Sequence, residues 1–163
     1  MQFFFDLDGT LINSQPRLFR LFCDMCPENR FTYDEYCAIK RRKVTQAQFL
    51  KTYFQYDEQQ ISDFHRHWLE AVESPERMLE DTEFPGASAL LKQLSLKHDI
   101  YIITHRQSRI ETQKQIERMG WSDDLSELIV SERKMNKESL AFSRLRDSRQ
   151  SLWVGDTGED IKA

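Results

Sequence analysis

Phe3-Phe4-Phe5-Asp6-Leu7-Asp8-Gly9-Thr10 is an apolar run that ends abruptly in two acids and a glycine turn. The run predicts a buried strand over residues 2–7, with the chain turning at Gly9. Residues i and i+2 of a strand point the same way, so Asp6 and Asp8 can approach one small site. Two carboxylates that close repel each other unless a cation or a proton sits between them. The pattern therefore points to a divalent metal, to proton transfer, or to both. Asp-Gly between apolar stretches is also a hairpin signal. Which reading holds depends on whether the rest of the chain supplies partners for the acids.

At 163 residues the chain is long enough for one domain, or for one domain with a modest insertion. A formal charge of −4, with both signs well mixed, gives no reason to expect nucleic-acid or anionic-membrane binding. No apolar stretch is long enough to span a bilayer, and no basic start precedes an apolar signal segment. A cytoplasmic enzyme is the expectation. Cys23, Cys26 and Cys37 are odd in number, which argues against a secreted disulfide framework. Cys23 and Cys26 have C-x-x-C spacing, but nothing nearby supplies the fourth ligand of a zinc site, so all three read as free cysteines.

From Gln15 to about Glu80 glycine is absent and helical spacing dominates. Pro16 opens a helix with Leu18, Phe19, Leu21 and Phe22 on its apolar side. Thr45 is the expected N-cap of a helix carrying Phe49, Leu50, Tyr53 and Phe54. A further helix runs from about Asp57 to Val72, and Ser74-Pro75-Glu76 starts a short helical turn. Phe84-Pro85-Gly86 then punctuates a change of pattern. Ala87–Leu96 reads as a helix, 100–103 as a buried strand ending at Thr104, and Ser108–Met119 as a helix stopped by Gly120. A strand over 128–130, a helix over Lys137–Leu145 and a strand over 152–154 follow, the last ending at Gly155-Asp156. Strands alternating with helices imply an α/β fold with a doubly wound parallel sheet. Asp6, Thr104 and Asp156 each follow an apolar strand, which places them at the carboxyl edge where such sheets bind ligands.

Asp6-Leu7-Asp8-Gly9-Thr10, a strand ending in Thr104, a lysine before a helix, and Gly155-Asp156-Thr157-Gly158-Glu159-Asp160 occur in that order. The chain thereby resembles the haloacid dehalogenase superfamily of phosphohydrolases, in its phosphoglycolate-phosphatase-like branch. The resemblance implies a Rossmann-like catalytic core over 1–14 and 82–163, with an inserted all-helical cap over 15–81. It implies that Asp6 is a nucleophile forming an aspartyl-phosphate, and that Asp8 carries the proton to the leaving oxygen and then from water. It further implies Mg²⁺ held by the Asp6 carboxylate, the Asp8 carbonyl and Asp156, with Asp160 orienting the metal's waters or Lys137. Thr104 and a lysine would meet the phosphoryl oxygens. Lys134 and Lys137 both precede the helix; Lys137 is preferred, because Asn136 could cap the helix and leave that lysine at its start.

Thr104 is followed by His105-Arg106, where many relatives have a small residue or Asn. Arg106 is expected on the rim or against an anionic substrate, and His65-Arg66-His67 on the surface of the helical segment. The sequence ends soon after its last motif, where relatives continue with another strand, which suggests a truncated or unusually short chain. The expected activity is hydrolysis of a small phosphorylated metabolite. A sugar-phosphate mutase, a phosphonate hydrolase and an idle phosphate-binding module on the same fold are alternatives. A phosphorylation-receiver domain also uses Asp, Thr, Lys and Mg²⁺, but its phosphoacceptor follows a later strand. Substrate and oligomeric state are not encoded in any recognisable pattern.

Overall fold

A computed structural model describes residues 1–131, 137–145 and 150–156. In chain order the elements are β1 (Gln2–Asp6), β2 (Ile12–Asn13), α1 (Gln15–Met25), α2 (Tyr33–Arg41), α3 (Gln46–Phe54), α4 (Glu58–Ala71), α5 (Pro75–Met78), β3 (Thr82–Glu83), α6 (Ala87–Ser95), β4 (Asp99–Thr104), α7 (Arg109–Arg118), β5 (Glu127–Val130), α8 (Lys137–Phe142) and β6 (Ser151–Val154). They form two compact units, one of Met1–Ser14 with Asp81–Ala163 and one of Gln15–Glu80. The chain returns to the first unit at Asp81, one residue before the expected boundary.

The first unit is built on a four-stranded sheet in the order β5-β4-β1-β6. Each pair is parallel, with Asp6 opposite Ile103, Phe5 opposite Val154 and Thr104 opposite Val130. Successive side chains go to opposite faces. Phe5, Ile100, Ile102 and Leu128 pack with Ala87 and Leu91 of α6 and Ile116 of α7. Phe4, Tyr101, Ile103 and Ile129 pack on the other face with Ala141 of α8. Both faces are covered, which is why these strands read as unbroken apolar runs rather than as alternating ones. The α/β, doubly wound parallel sheet expected from the sequence is the fold observed.

Beside it, β2 and β3 form a two-residue antiparallel ribbon, Ile12 opposite Glu83 and Asn13 opposite Thr82. The Phe84 N–H donates to the Leu11 carbonyl at 2.9 Å and extends it. The ribbon thus ties the chain's exit from the first unit to its return.

The second unit is helical. Thr32, Asp57 and Thr45 each cap a helix with a reciprocal partner three residues on, Glu35, Gln60 and Gln48, and Ser74 caps α5. Each cap satisfies orphan N–H groups and is worth about 1 kcal/mol. Its core is aromatic: Phe22, Tyr36, Phe49 and Phe64 are buried together with Cys26, Cys37 and Leu50. Phe22 sits at the middle, with ring centroids of Tyr36, Phe49, Phe54 and Phe64 at 5.1, 5.3, 5.8 and 6.1 Å. The three cysteines are free. His65, Arg66 and His67 are exposed on α4. Among the described residues, no helix is long and apolar enough to cross a membrane.

Candidate active site

The sheet register decides where the polar residues fall. β1 is flanked by β4 and β6, and all three run the same way. Asp6 closes β1, Thr104 closes β4, and Asp156 lies two residues beyond the end of β6. The three residues therefore share the carboxyl edge of adjacent parallel strands, where strand ends leave backbone groups and side chains free to meet a ligand.

Asp6 has the same strand parity as Phe4, whose ring lies in the cluster that contains Ala141 of α8. A cation at the start of α8 is thus on the correct side to reach it. Lys137 is that residue, and its Nζ sits 2.5 Å from Asp6 Oδ1, with both side chains largely buried. Such a charge-assisted contact fixes the carboxylate and offsets part of its charge. Lys134, the other lysine weighed for this position, and Asn136, the expected cap of the helix, lie outside the described residues, as does Asp160.

β1 ends at Asp6, so strand alternation does not carry on to Asp8. Beyond it the Leu7 carbonyl accepts N–H bonds from Leu11 (3.0 Å) and Ile12 (2.9 Å), and Gly9 donates to the Ile12 carbonyl at 2.8 Å. This tight loop needs a left-handed residue, and Gly9 has φ +88°. The loop answers the hairpin question: Asp8 and Gly9 follow a central parallel strand, and β1 pairs with β4 and β6 rather than with the segment just after it. The absence of a Cβ at Gly9 also has a spatial use, because one there would overlap the Asp156 carboxylate. Asp156 and the first motif, far apart in sequence, are thereby brought into direct contact.

Asp8 takes a different partner from Asp6. Arg106 Nε donates to Asp8 Oδ2 at 2.8 Å and Arg106 Nη2 donates to Oδ1 at 2.7 Å. The guanidinium is 4% exposed, and Nη2 also reaches Asp81 Oδ2 at 3.2 Å. Its Nη1 bonds Gln115 Oε1, and Gln115 Nε2 donates to Asp81 Oδ2 at 2.9 Å. Arg106 is therefore not a rim residue, which corrects the expectation from sequence: a rim position would leave its donors to water, whereas here three protein side chains take them. Asp81 and Gln115 were not singled out in the sequence. The available signal was an arginine just past a buried strand whose edge gathers acids, since buried carboxylates call for a cation. His105 is half-buried, with Nδ1 2.7 Å from Ser131 Oγ. Thr104 is buried, and its carbonyl accepts the Ser131 N–H at 2.9 Å.

Among the described residues, no three His, Cys, Asp or Glu side chains gather closely enough to hold a metal by themselves. Two carboxylates and a main-chain carbonyl, those of Asp6, Asp156 and Asp8, are a different set. All are hard oxygen donors of the kind Mg²⁺ takes, completed by water. The space left by Gly9 for the Asp156 carboxylate fits that set.

The profile of the haloacid dehalogenase-like hydrolases matches residues 3–163. No curated protein matches the sequence. Several solved structures share the fold. A candidate phosphatase from Clostridium difficile superposes with a TM-score of 0.78 at 14% identity, over 99% of this chain and 78% of its own. A candidate phosphoglycolate phosphatase from Lactobacillus plantarum gives 0.72 at 18% identity, over 99% and 79%. A candidate HAD-hydrolase from Bacillus subtilis, bound to magnesium, gives 0.67 at 18% identity, over 96% and 79%.

Proposed function

The chain belongs to the haloacid dehalogenase-like hydrolases, and on that premise we propose that it hydrolyses a small phosphomonoester through an aspartyl-phosphate on Asp6. The observation that carries the reading is the Asp6 carboxylate at the carboxyl end of the central strand, held at 2.5 Å by Lys137. A fixed carboxylate beside a cation is a nucleophile with its partner for the transferring phosphoryl charge.

The chemistry balances over two steps. An Asp6 oxygen forms a bond to phosphorus as the bond to the ester oxygen breaks, and Asp8 gives that oxygen a proton. Water then attacks the same phosphorus, its proton passes to Asp8, and the Asp6–phosphorus bond breaks. The products are an alcohol and inorganic phosphate, with both acids restored. Lys137 and Thr104 are the proposed partners of the phosphoryl oxygens. Asp6, the Asp8 carbonyl and Asp156 would hold Mg²⁺, which when bound offsets the negative charge of carboxylates and phosphate. The structure of similar fold from Bacillus subtilis is bound to magnesium, which supports the choice of ion. The helical unit inserted between Ser14 and Asp81 is proposed as the cap that selects the substrate.

The test is phosphate release from a panel of phosphate esters, with and without Mg²⁺, by wild type and Asp6→Asn. Mg²⁺-dependent release that the variant abolishes is the expected result. Robust turnover by Asp6→Asn refutes the mechanism. Isomerised product without free phosphate would indicate a mutase, and a folded wild type inactive across the panel would indicate a binding module.

A further inference from the structure

The helical unit holds a cleft that the hydrolytic reading does not use. Glu28, Arg30, Phe31, Tyr53, Phe54 and Gln55 line it, and its volume is about 440 Å³, within the span of roughly 300–1,000 Å³ common for small-ligand sites. All six residues belong to the unit of Gln15–Glu80. One wall is the loop between α1 and α2, and the other is the C-terminal end of α3.

The loop is pinned by its own bonds. Asn29 Oδ1 accepts the Phe31 N–H at 3.0 Å, and Asn29 Nδ2 donates to the Phe31 carbonyl at 3.1 Å. Arg30 Nη1 donates to the Pro27 and Asn29 carbonyls at 3.3 and 3.0 Å. Glu28 Oε1 accepts the Tyr56 hydroxyl at 2.5 Å, a bond that holds the Glu28 carboxyl below its ordinary range. Two opposite charges two residues apart are thus each fixed by a neighbour. Among the described residues they form no ion pair with each other.

The rest of the lining is aromatic. Tyr53 is 44% exposed. Its ring lies 5.1 Å from that of Phe31 at 80°, and Phe54 lies 6.1 Å from Phe31 at 67°. Rings set near right angles make a corner that offers a face to an apolar group or a cation. The last turn of α3, which Tyr56 follows, adds partial negative charge to that wall. Gln55 ends α3 in the left-handed region, φ 57°. Glycine takes that conformation without strain, so a side chain is kept at the cleft at a conformational cost.

We infer that this cleft binds a small zwitterion, an α-amino acid with an apolar side chain. Its ammonium would meet Glu28, its carboxylate Arg30, and its side chain the rings of Phe31 and Tyr53. A simple cation is opposed by Arg30 and a simple anion by Glu28; a ligand carrying both signs satisfies both. The inference does not depend on the phosphatase reading.

The experiment is an NMR titration of the full chain with L-phenylalanine, L-leucine, phenethylamine and 3-phenylpropionate. The last two are phenylalanine without its carboxylate and without its amine. L-phenylalanine should saturate the protein at millimolar concentration or below, moving the amide signals of Phe31, Tyr53 and Gln55. Each half-molecule should bind about fivefold more weakly, the upper scale of one exposed ion pair. Glu28→Gln keeps an acceptor for Tyr56 and should erase the advantage of L-phenylalanine over 3-phenylpropionate. Arg30→Gln should erase its advantage over phenethylamine. Thermal unfolding without ligand reports the fold of each variant. No saturation by L-phenylalanine or L-leucine overturns the inference, as do shifts confined to residues away from the cleft. So does a half-molecule that binds as tightly as L-phenylalanine, the amine marking a cation site and the acid an anion site. A preference that survives both substitutions overturns it too. None of these readouts uses phosphate release, so failure of the phosphatase reading leaves this one standing.

Discussion

Gly9→Ala tests the contact between the first motif and Asp156, and the structure supplies its own control. Gly9 has φ +88° and Gly86 has φ +91°, so alanine meets nearly the same backbone strain at both. That strain is about 1–2 kcal/mol, equivalent to a fall of about 2–8 °C in Tm for a chain of this size. The surroundings differ. A Cβ at Gly86 meets nothing within 4 Å, whereas one at Gly9 overlaps the Asp156 carboxylate. To regain ordinary contact that carboxylate must retreat by about 1 Å. Mg²⁺ tolerates little departure from octahedral geometry, and a misplacement of about 1 Å can cost about 10²-fold in rate.

Gly86→Ala should therefore lose stability alone, and Gly9→Ala should lose stability and phosphate release by about two orders of magnitude at limiting Mg²⁺. Thermal unfolding with and without Mg²⁺ provides a second readout that needs no turnover. An ion bound only by the folded state raises Tm; that rise should survive in Gly86→Ala and shrink in Gly9→Ala. If the two variants show the same Mg²⁺ response and the same turnover, the Asp156 carboxylate does not work from its place against Gly9, and the proposed donor set fails.

Lys137→Met should lower kcat/KM by about 10²–10³-fold through loss of the cation on Asp6; near-wild-type turnover would move that role to Lys134. Burial pushes the Cys26 thiol from 9.0 up to about 11. Its contribution to stability is then complete below about pH 9 and lost as pH rises toward 11, because the unfolded chain gives up the proton first. The loss is of order 2 kcal/mol, and a denaturation series over that range should steepen in wild type and flatten in Cys26→Ala; equal slopes would assign the alkaline loss to other groups.

What could be read from the sequence divides along physical lines. β1, β4 and β5 are covered on both faces, so burial alone writes them as short apolar runs; β6, at the sheet edge with Leu152 exposed, is apolar as well. Thr45, Asp57 and Ser74 announce helices because a cap is a local bond between near neighbours. Thr32 and Glu35 carried the same signal for α2, yet its apolar stripe is short, with Tyr36 and Cys37 as its buried residues, and periodicity passes over it. β2 and β3 have two residues each, too few for any period; they pair because the chain leaves and re-enters the first unit side by side. The positions of Asp6 and Lys137 follow from a strand end and a helix start, which leave marks in sequence. Arg106 and Asp8 are 98 residues apart, and no local pattern connects them. A rule of charge does. Asp6, Asp8 and Asp156 converge at one edge of the sheet, and of these the buried Asp6 and half-buried Asp8 need cations drawn from the same edge. Among the described residues Lys137 opens α8 there and Arg106 follows β4 there. Counting cations at strand ends, rather than looking for motifs, is what would have moved Arg106 from the rim to the centre.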